Sequence, residues 1–564
     1  MVFLSNDRRG HSAVAELART RILPNGYDLA AFAFVAALAM LALHGAAEMR
    51  APLEGLATAP ISLDPARLPE YALRTTLRMF AAIGASLVFT FVFATLAAKS
   101  RRAEMIIIPA LDILQSVPVL GFLTFTVTFF MGIFPGSQLG AECASIFAIF
   151  TSQAWNMAFS FYQSLRTVPR DLDEVSRGFR LSAWQRFWRL EAPFSAPGLI
   201  WNTMMSMSGG WFFVVASEAI TVGDTTVQLP VSAPGLPIDK QDFAAVSWAV
   251  LAMGVVVVLY DQLLFRPIVT WADKFRFEQT AGQEKPRSWV YSLIQRTRLL
   301  KRLMRPLAWA WGSLMLIRLP SASRKAHFAR RNNAKTIRLL DYAWFALIAS
   351  IGIWGFWKAF AFVSQTLTWS DAWDAFQGGL VTLLRVLVLI AVASAIWVPV
   401  GVWIGLRPAV AERVQPVAQF LAAFPANVLF PFAVIAIVAT GANPNIWLSP
   451  LMVLGTQWYI LFNVIAGASA FPTDLKEACS VYQLRSWTWW RRAILPGIFP
   501  YYVTGALTAS GGSWNASIVA EVVSWGHTKL EAFGLGSYIA KATEAGDYQR
   551  VILGMRSCLS SSRF

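Results

Sequence analysis

The stretch Pro169 to Pro193, PRDLDEVSRGFRLSAWQRFWRLEAP, returns 303 residues later as Pro472 to Pro496, PTDLKEACSVYQLRSWTWWRRAILP. Eight of the 25 positions are identical without a gap: the first and last prolines, Asp171/Asp474, Leu172/Leu475, Glu174/Glu477, Leu181/Leu484, Trp184/Trp487 and Arg189/Arg492. Each copy lies between long apolar runs, so each is read as a helical loop projecting from a membrane. Asp171 with Glu174, and Asp474 with Glu477, have the spacing of a capping box. Apolar residues recur at i, i+3 and i+7 in both copies (Leu172, Val175, Phe179; Leu475, Ala478, Tyr482), the stripe of a short helix. Surface anchoring is the plain alternative, but anchoring needs no pattern kept in register.

Composition points the same way. Of 564 residues, 56% are hydrophobic and 14% charged, and the mean hydropathy of +0.50 excludes a soluble domain of this length. About 20 consecutive apolar residues span a bilayer, and the chain has many such runs. The 24 tryptophans suit aromatic belts at two membrane surfaces. Cys143, Cys479 and Cys558 match no metal or disulfide spacing, and His11, His44, His327 and His527 are isolated, so no metal site is expected. The net charge of +16 is concentrated: 16 Lys/Arg and three acidic residues lie between Ile268 and Arg338. A cytoplasmic loop of a membrane protein carries such charge, and nucleic acid is not an expected partner.

The first half places spans near 29–43, 72–98, 105–132, 139–163, 195–222 and 243–266. Lys99, Arg101 and Arg102, the first polar loop and the basic segment all fall on one side of that arrangement. That side is the cytoplasm by the positive-inside rule, which puts the N-terminus in the cytoplasm and the loop at 223–242 outside. Within the basic segment, Tyr291 to Leu319 mixes Arg and Lys with Leu, Met and Trp. It suits either a helix on the anionic inner leaflet or a solvated tether.

The second half repeats the first, with spans near 341–363, 378–406, 416–440, 445–468 and 498–524. Arg78/Arg385, Pro109/Pro416 and Pro118/Pro425 share an offset of 307; Gly209/Gly512, Trp211/Trp514 and Glu218/Glu521 return to 303. One departure stands out: after Met555 the chain turns polar, so the twelfth span is expected to be missing or shortened. The fold class is therefore an all-α polytopic membrane protein of two tandem helical units with about 11–12 transmembrane helices. Its parts are 1–71 (tail, first span and outer loop), 72–266 (first unit), 267–338 (basic linker), 339–375 (seventh span and loop) and 376–564 (second unit, shortened at its C-terminus).

No stretch reads G-x-x-x-x-G-K-[ST], so the phosphate-cradling loop of an ATPase is not in this sequence, and no catalytic cluster is expected. Glu218 and Glu521 each follow a tryptophan by seven residues, two helical turns, on one helix face. A carboxylate at bilayer depth costs about 2.5–3.5 kcal/mol, so each either serves gating or permeation or sits at the outer helix end among headgroups. Gly209/Gly210 and Gly511/Gly512 either let helices approach closely or break them.

The duplicated loop resembles the EAA motif of bacterial ABC importer permeases, which reads EAA, three residues, Gly, nine residues, I-x-LP. Glu477-Ala478-Cys479 with Leu495-Pro496 match it well, Glu174-Val175-Ser176 with Ala192-Pro193 more loosely, and Arg180 and Gln483 replace the family glycine. The W-x6-E spacing resembles the nitrate/sulfonate/taurine/bicarbonate branch. The resemblance implies two fused type-1 permease units in a bacterial inner membrane, serving uptake of a small anion. Two cytoplasmic ABC ATPase subunits would bring ATP and Mg, and this chain would carry no cofactor. A periplasmic solute-binding protein and membrane lipids would be further partners. ATPase coupling would fall to Asp171, Glu174, Leu181, Trp184, Asp474, Glu477, Ala478, Leu484 and Trp487. The translocation path would pass Gly209, Trp211, Glu218, Gly512, Trp514 and Glu521. A secondary transporter with parallel repeats and a non-transporting scaffold remain open from sequence.

Overall fold

A computed structural model describes residues 26–48, 64–116, 119–135, 137–222, 225–228, 243–275, 288–297, 299–317, 334–469, 471–525 and 528–561. Long helices dominate, and the expectation of an all-α polytopic membrane protein holds. Among the described residues, Leu68–Lys99, Val246–Ala272, Tyr342–Val363 and Trp369–Gly405 are each long and apolar enough to cross a bilayer alone. Tyr342–Val363 buries none of its most apolar stretch within the protein, and Trp354, Phe356, Trp357 and Phe360 project outward as lipid-facing side chains do.

The interior helices Leu139–Arg166, Ala192–Glu218 and Leu495–Ala520 carry 28, 27 and 26 residues. At about 1.5 Å per residue each exceeds the roughly 30 Å hydrocarbon thickness. Polar side chains turned toward one another lower their apolarity; Asn156 donates to Ser206 Oγ at 2.8 Å, and Asn202 to Ser160 Oγ at 2.8 Å.

The spans expected near 416–440 and 445–468 are not straight. Pro416–Ala423 and Ala426–Thr440 meet at 73°, and Pro444–Leu454 meets Gln457–Ser469 at 43°. Pro425 causes the first break: a proline pushes its predecessor out of the α region, and Phe424 is extended at ψ 128°. In the first unit the helices Arg101–Ser116 and Val119–Ile133 flank Pro118, which lies outside the described residues. The region 223–242, expected as an outer loop, is described only at 225–228. There Thr225–Gln228 pairs antiparallel with Ala219–Val222, and 303 residues on Thr528–Glu531 pairs in the same register with Val522–Trp525. The stretch expected to end the helical pattern after Met555 is helical through Ser561: Tyr548–Ser561 packs on Trp369–Gly405 and Leu535–Glu544.

The two units share one core. Val119, Val127, Phe212 and Phe213 of the first pack in a single buried cluster with Phe430, Leu451, Met452 and Trp514 of the second. Two of the long interior helices, Ala192–Glu218 and Leu495–Ala520, are also held by the broken helix of the other unit. Asn427 Nδ2 donates to the Phe212 carbonyl at 3.0 Å, and the Val119 N–H donates to Asn515 Oδ1 at 2.8 Å.

Candidate functional site

Both polar loops fold as two short helices around a sharp bend. The first helices are Arg170–Gly178 and Thr473–Val481, with Pro169 and Pro472 at the N-cap. The expected capping boxes do not form. Each proline takes the N-cap place with ψ of 138°, so the helix starts one residue before the aspartate. Asp171 and Glu174 then lie inside the first helix and Glu477 inside the second, all three exposed and near the positive end of the helix dipole. Asp474 occupies the same position as Asp171, its side chain outside the described set. The capping box that does form is one helix later, where Ser182 and Gln185 exchange hydrogen bonds at 3.3 and 3.0 Å.

The bend sits where the family motif has glycine. Arg180 and Gln483 adopt φ of +51° and +49°, the left-handed region that glycine enters freely. The Arg180 N–H donates to the Arg177 carbonyl (2.9 Å) and the Leu181 N–H to the Ser176 carbonyl (3.2 Å). Gln483 and Leu484 repeat both bonds onto Ser480 and Cys479 (3.1 and 2.9 Å). This is a helix stop with a left-handed residue, kept without its glycine. It tucks Leu181 and Leu484 half under the loop, and Ala478 is half-buried beside them. A π-helical turn then leads each loop into its long helix, Phe187–Glu191 in one unit and Trp490–Ile494 in the other. The extra residue of a π turn re-aims the helix and often marks a functional position.

From these turns Ala192–Glu218 and Leu495–Ala520 run unbroken to a cavity between the units. Gln115, Thr151, Ser152, Asn156, Tyr459 and Thr508 supply polar lining, and Phe212, Phe213, Leu451 and Met452 apolar lining. Its volume is about 80 Å³ counted at the centres of water-sized molecules, room for roughly five waters. Gly209 and Gly512 lie on its wall, and their helices are not broken there. Close approach is the reason for glycine: a Cβ on Gly512 would sit 2.6 Å from Thr456 Cγ2, and one on Gly210 would sit 2.3 Å from Gln153 Nε2. Gly209 has more room, its nearest neighbour being Tyr459 Oη at 3.7 Å.

Of the remaining residues of the expected path, Trp211, Trp514 and Glu521 do not line the cavity. Trp211 is buried in a cluster with Met79, Ile149 and Tyr260, and Trp514 in the core that the two units share. Glu218 ends its helix, and its side chain is outside the described set. Glu521 is buried and points away from the cavity. Its carboxylate accepts from Thr382 Oγ1 (2.8 Å), from Arg385 (3.1 Å) and from the Ser537 N–H (3.0 Å). It thereby clamps the turn after the second hairpin onto the helix Trp369–Gly405. Gly534 and Gly536 let that turn approach: a Cβ on Gly534 would meet the Glu521 carboxylate oxygens at 2.3 Å.

Sequence reasoning passed over three groups. Arg78, noticed only as a repeat of Arg385, makes a bidentate, fully buried ion pair with Glu142. At the matching place in the second unit Asn445 faces Arg385 at 3.4 Å. Asp173 and Arg186, absent from the duplicated pattern, fix the first loop: Arg186 bonds Asp173 at 3.0 Å and Glu191 at 3.1 Å, and Lys99 joins Glu191 at 2.7 Å. Asn515 ties a cavity wall to the opposite unit, and an asparagine in an apolar helix was the available signal.

Comparison with known proteins agrees with this arrangement. The family described as binding-protein-dependent transport system inner membrane component matches twice, over residues 77–266 and 397–557. The chain is 28% identical over 175 residues to the bicarbonate transport system permease protein CmpB of Synechococcus elongatus, covering 31% of this chain and 59% of the relative. It is 27% identical over 166 residues to the corresponding Synechocystis protein, covering 29% and 56%. It is 26% identical over 174 residues to the nitrate import permease protein NrtB of Leptolyngbya laminosa, covering 31% and 59%. The chain thus spans less than two thirds of the length of these relatives. Two matched segments that together cover more than half of the chain, each holding a bent loop followed by a π turn and a long helix that reaches the cavity, make it a member of the binding-protein-dependent transport system inner membrane component family, with two such units in one polypeptide.

Proposed function

We propose that this chain is the membrane-spanning permease of an ATP-driven importer for a small anion of the bicarbonate or nitrate kind. The observation that carries the reading is the unbroken path from each bent loop, through its π turn, along one helix to the cavity. From Pro193 to Gly209 that helix measures about 24 Å at 1.5 Å per residue, so tilting the loop moves the cavity wall as a rigid lever. Exposed apolar residues on the loops, Val175 and Phe179 on one and Val481, Tyr482 and Trp487 on the other, offer docking surface to two cytoplasmic ATPase subunits. A binding protein on the far side would deliver the solute. Neutral donors in the cavity (Gln115, Asn156, Tyr459) would replace part of the water shell of a small anion without holding it tightly.

The relatives named for bicarbonate and nitrate support the anion class. The test is uptake of labelled bicarbonate and nitrate into proteoliposomes holding this chain with its ATPase subunits and binding protein. One anion should accumulate only with ATP present on the ATPase side. Uptake by the chain alone, driven by an ion gradient, would establish a secondary transporter instead.

A further inference from the structure

We infer that the linker helix Leu299–Leu316 binds the anionic lipid surface and pins the first coupling loop to it, leaving the second loop free. The lipid contact stands by itself; its consequence for coupling rests on the proposed reading of the loops as ATPase docking sites.

Leu303, Leu307, Trp311 and Leu314 recur at spacings of four, four and three, which makes one stripe of an α-helix, and all are exposed. Arg302 and Arg305 are exposed on the opposite side, with Trp309 and Leu316 between them. A helix with a bare apolar stripe and a basic back is built for a membrane surface, and a surrounding segment of net charge +13 selects an anionic one. Its position agrees. The preceding helix Trp289–Arg296 packs on both Gly26–Glu48 and Arg266–Ala272, and Arg296 lies over the Tyr27 ring at 5.6 Å. Leu299–Leu316 itself contacts Gly26–Glu48 and Ala183–Arg186, the short helix of the first loop.

The C-terminal end of the linker helix is held by that loop. Trp184 Nε1 donates to the Leu314 carbonyl at 2.9 Å and Gln185 Nε2 to the Leu316 carbonyl at 2.8 Å. Both carbonyls belong to the last turn, where the i+4 donors of a helix run out; that of Leu314 also accepts from the Ile317 N–H at 3.4 Å. Trp188 packs edge-on against Trp311 with ring centroids 5.5 Å apart. The second loop cannot copy this grip. At the offset of 303, Thr488 replaces Gln185 and Arg491 replaces Trp188, and Trp487, the match of Trp184, is 69% exposed.

The test uses the full chain without ATPase, with Cys143, Cys479 and Cys558 replaced by Ser and an environment-sensitive label on Leu307→Cys. It is placed in phosphatidylcholine nanodiscs with or without phosphatidylglycerol. Brominated lipid should quench this label, and not one on Arg305→Cys. Phosphatidylglycerol should raise the quenching, and R302Q/R305Q should lower the lipid-bound to free ratio by about thirtyfold. In the same nanodiscs, hydrogen exchange at 181–186 should rise about tenfold in Trp184→Phe/Gln185→Glu, with 484–489 unchanged. The carboxylate introduced by Gln185→Glu would still cap Ser182 but has no N–H for Leu316, so the loop keeps its own fold. The inference is overturned if aqueous iodide reaches the Leu307→Cys label equally in both lipids. It also fails if quenching ignores both phosphatidylglycerol and R302Q/R305Q, if only added ATPase protects the label, or if the loop variant exchanges like wild type.

Discussion

Replacing Glu521 by Ala should release the second hairpin and the helix Leu535–Glu544 from the bundle while leaving the coupling loops in place. The carboxylate is buried and accepts from a threonine hydroxyl, an arginine and a backbone N–H. Removing it strands Arg385, which retains the Phe533 carbonyl at 2.7 Å, and orphans the Ser537 N–H. Breaking a buried ion pair from one side costs about 3–5 kcal/mol. At about 1.4 kcal/mol per factor of ten, local protection falls by roughly two to three and a half orders of magnitude. Hydrogen exchange read by mass spectrometry on peptides covering 528–545 of the full chain in nanodiscs measures this directly. The double change Arg385→Met/Glu521→Met leaves no lone charge and should lose less than Glu521→Ala alone. Gly534→Ala, which drives a methyl into the carboxylate, should reproduce the single variant. Protection within threefold of wild type in Glu521→Ala would show that Glu521 does not hold this turn, and the clamp would have to be abandoned.

At the cavity wall, Gly512→Ala should destabilise the chain by about 1–3 kcal/mol through overpacking against Thr456, whereas Gly209→Ala, with 3.7 Å of clearance, should be nearly neutral. Thermal unfolding of the two purified variants compares them. In the loops, Arg180→Gly and Gln483→Gly should keep ATPase binding, and Arg180→Val or Gln483→Val should lose about 1–2 kcal/mol of loop stability because β-branched residues resist the left-handed region. Affinity for the ATPase subunits, measured in nanodiscs, checks this pair. Raising salt to about 1 M, where the Debye length is about 3 Å, should speed hydrogen exchange in 170–191 more than in 473–494. Ion pairs tie the first loop, that of Arg186 with Asp173 partly exposed, and among the described residues none ties the second; equal acceleration would contradict that assignment.

The duplication, the loop positions and the helical class are legible because they are properties of pattern: an offset held over many residues needs no coordinates. Reading Asp-x-x-Glu as a cap misplaces the helix starts by two residues. Pro169 and Pro472, present in the same quoted stretch, occupy the N-cap places instead. The bends survive the loss of glycine because two backbone hydrogen bonds and a tucked leucine outweigh the cost of a left-handed arginine or glutamine. Such a balance is tertiary and leaves no mark in composition. Glu218 and Glu521 stand out by their spacing from tryptophan, yet spacing along one helix cannot say which neighbour a carboxylate meets. Thr382, Arg385 and Ser537 lie 139, 136 and 16 residues from Glu521. The Arg78–Glu142 pair is hidden for the same reason, its partners lying 64 residues apart.

The two loops are equal in outline and unequal in what holds them. At the offset of 303, Asp173 becomes Lys476, Arg186 becomes Trp489 and Glu191 becomes Ile494. The ionic ties of the first loop are thus replaced by packing: Ile494 is fully buried in a cluster with Val464, Phe471 and Ile498, and Trp489 and Trp490 rest against it. The Arg186–Asp173 pair joins partly exposed groups, contributes about 0–1 kcal/mol and weakens with salt, whereas the pairs made by the buried Glu191 are screened less. A buried isoleucine contributes about 1.5–3 kcal/mol and does not weaken with salt. The first loop also leans on the linker helix through Trp184, Gln185 and Trp188, while Trp487 of the second stands in solvent. Fusing two units into one chain removes the constraint that both loops share a sequence, so each can be tuned alone. The second is set rigidly by apolar packing, and the first by contacts that ionic strength and the surrounding lipid can change. Coupling through the first loop is therefore the route open to adjustment, and the second holds its geometry.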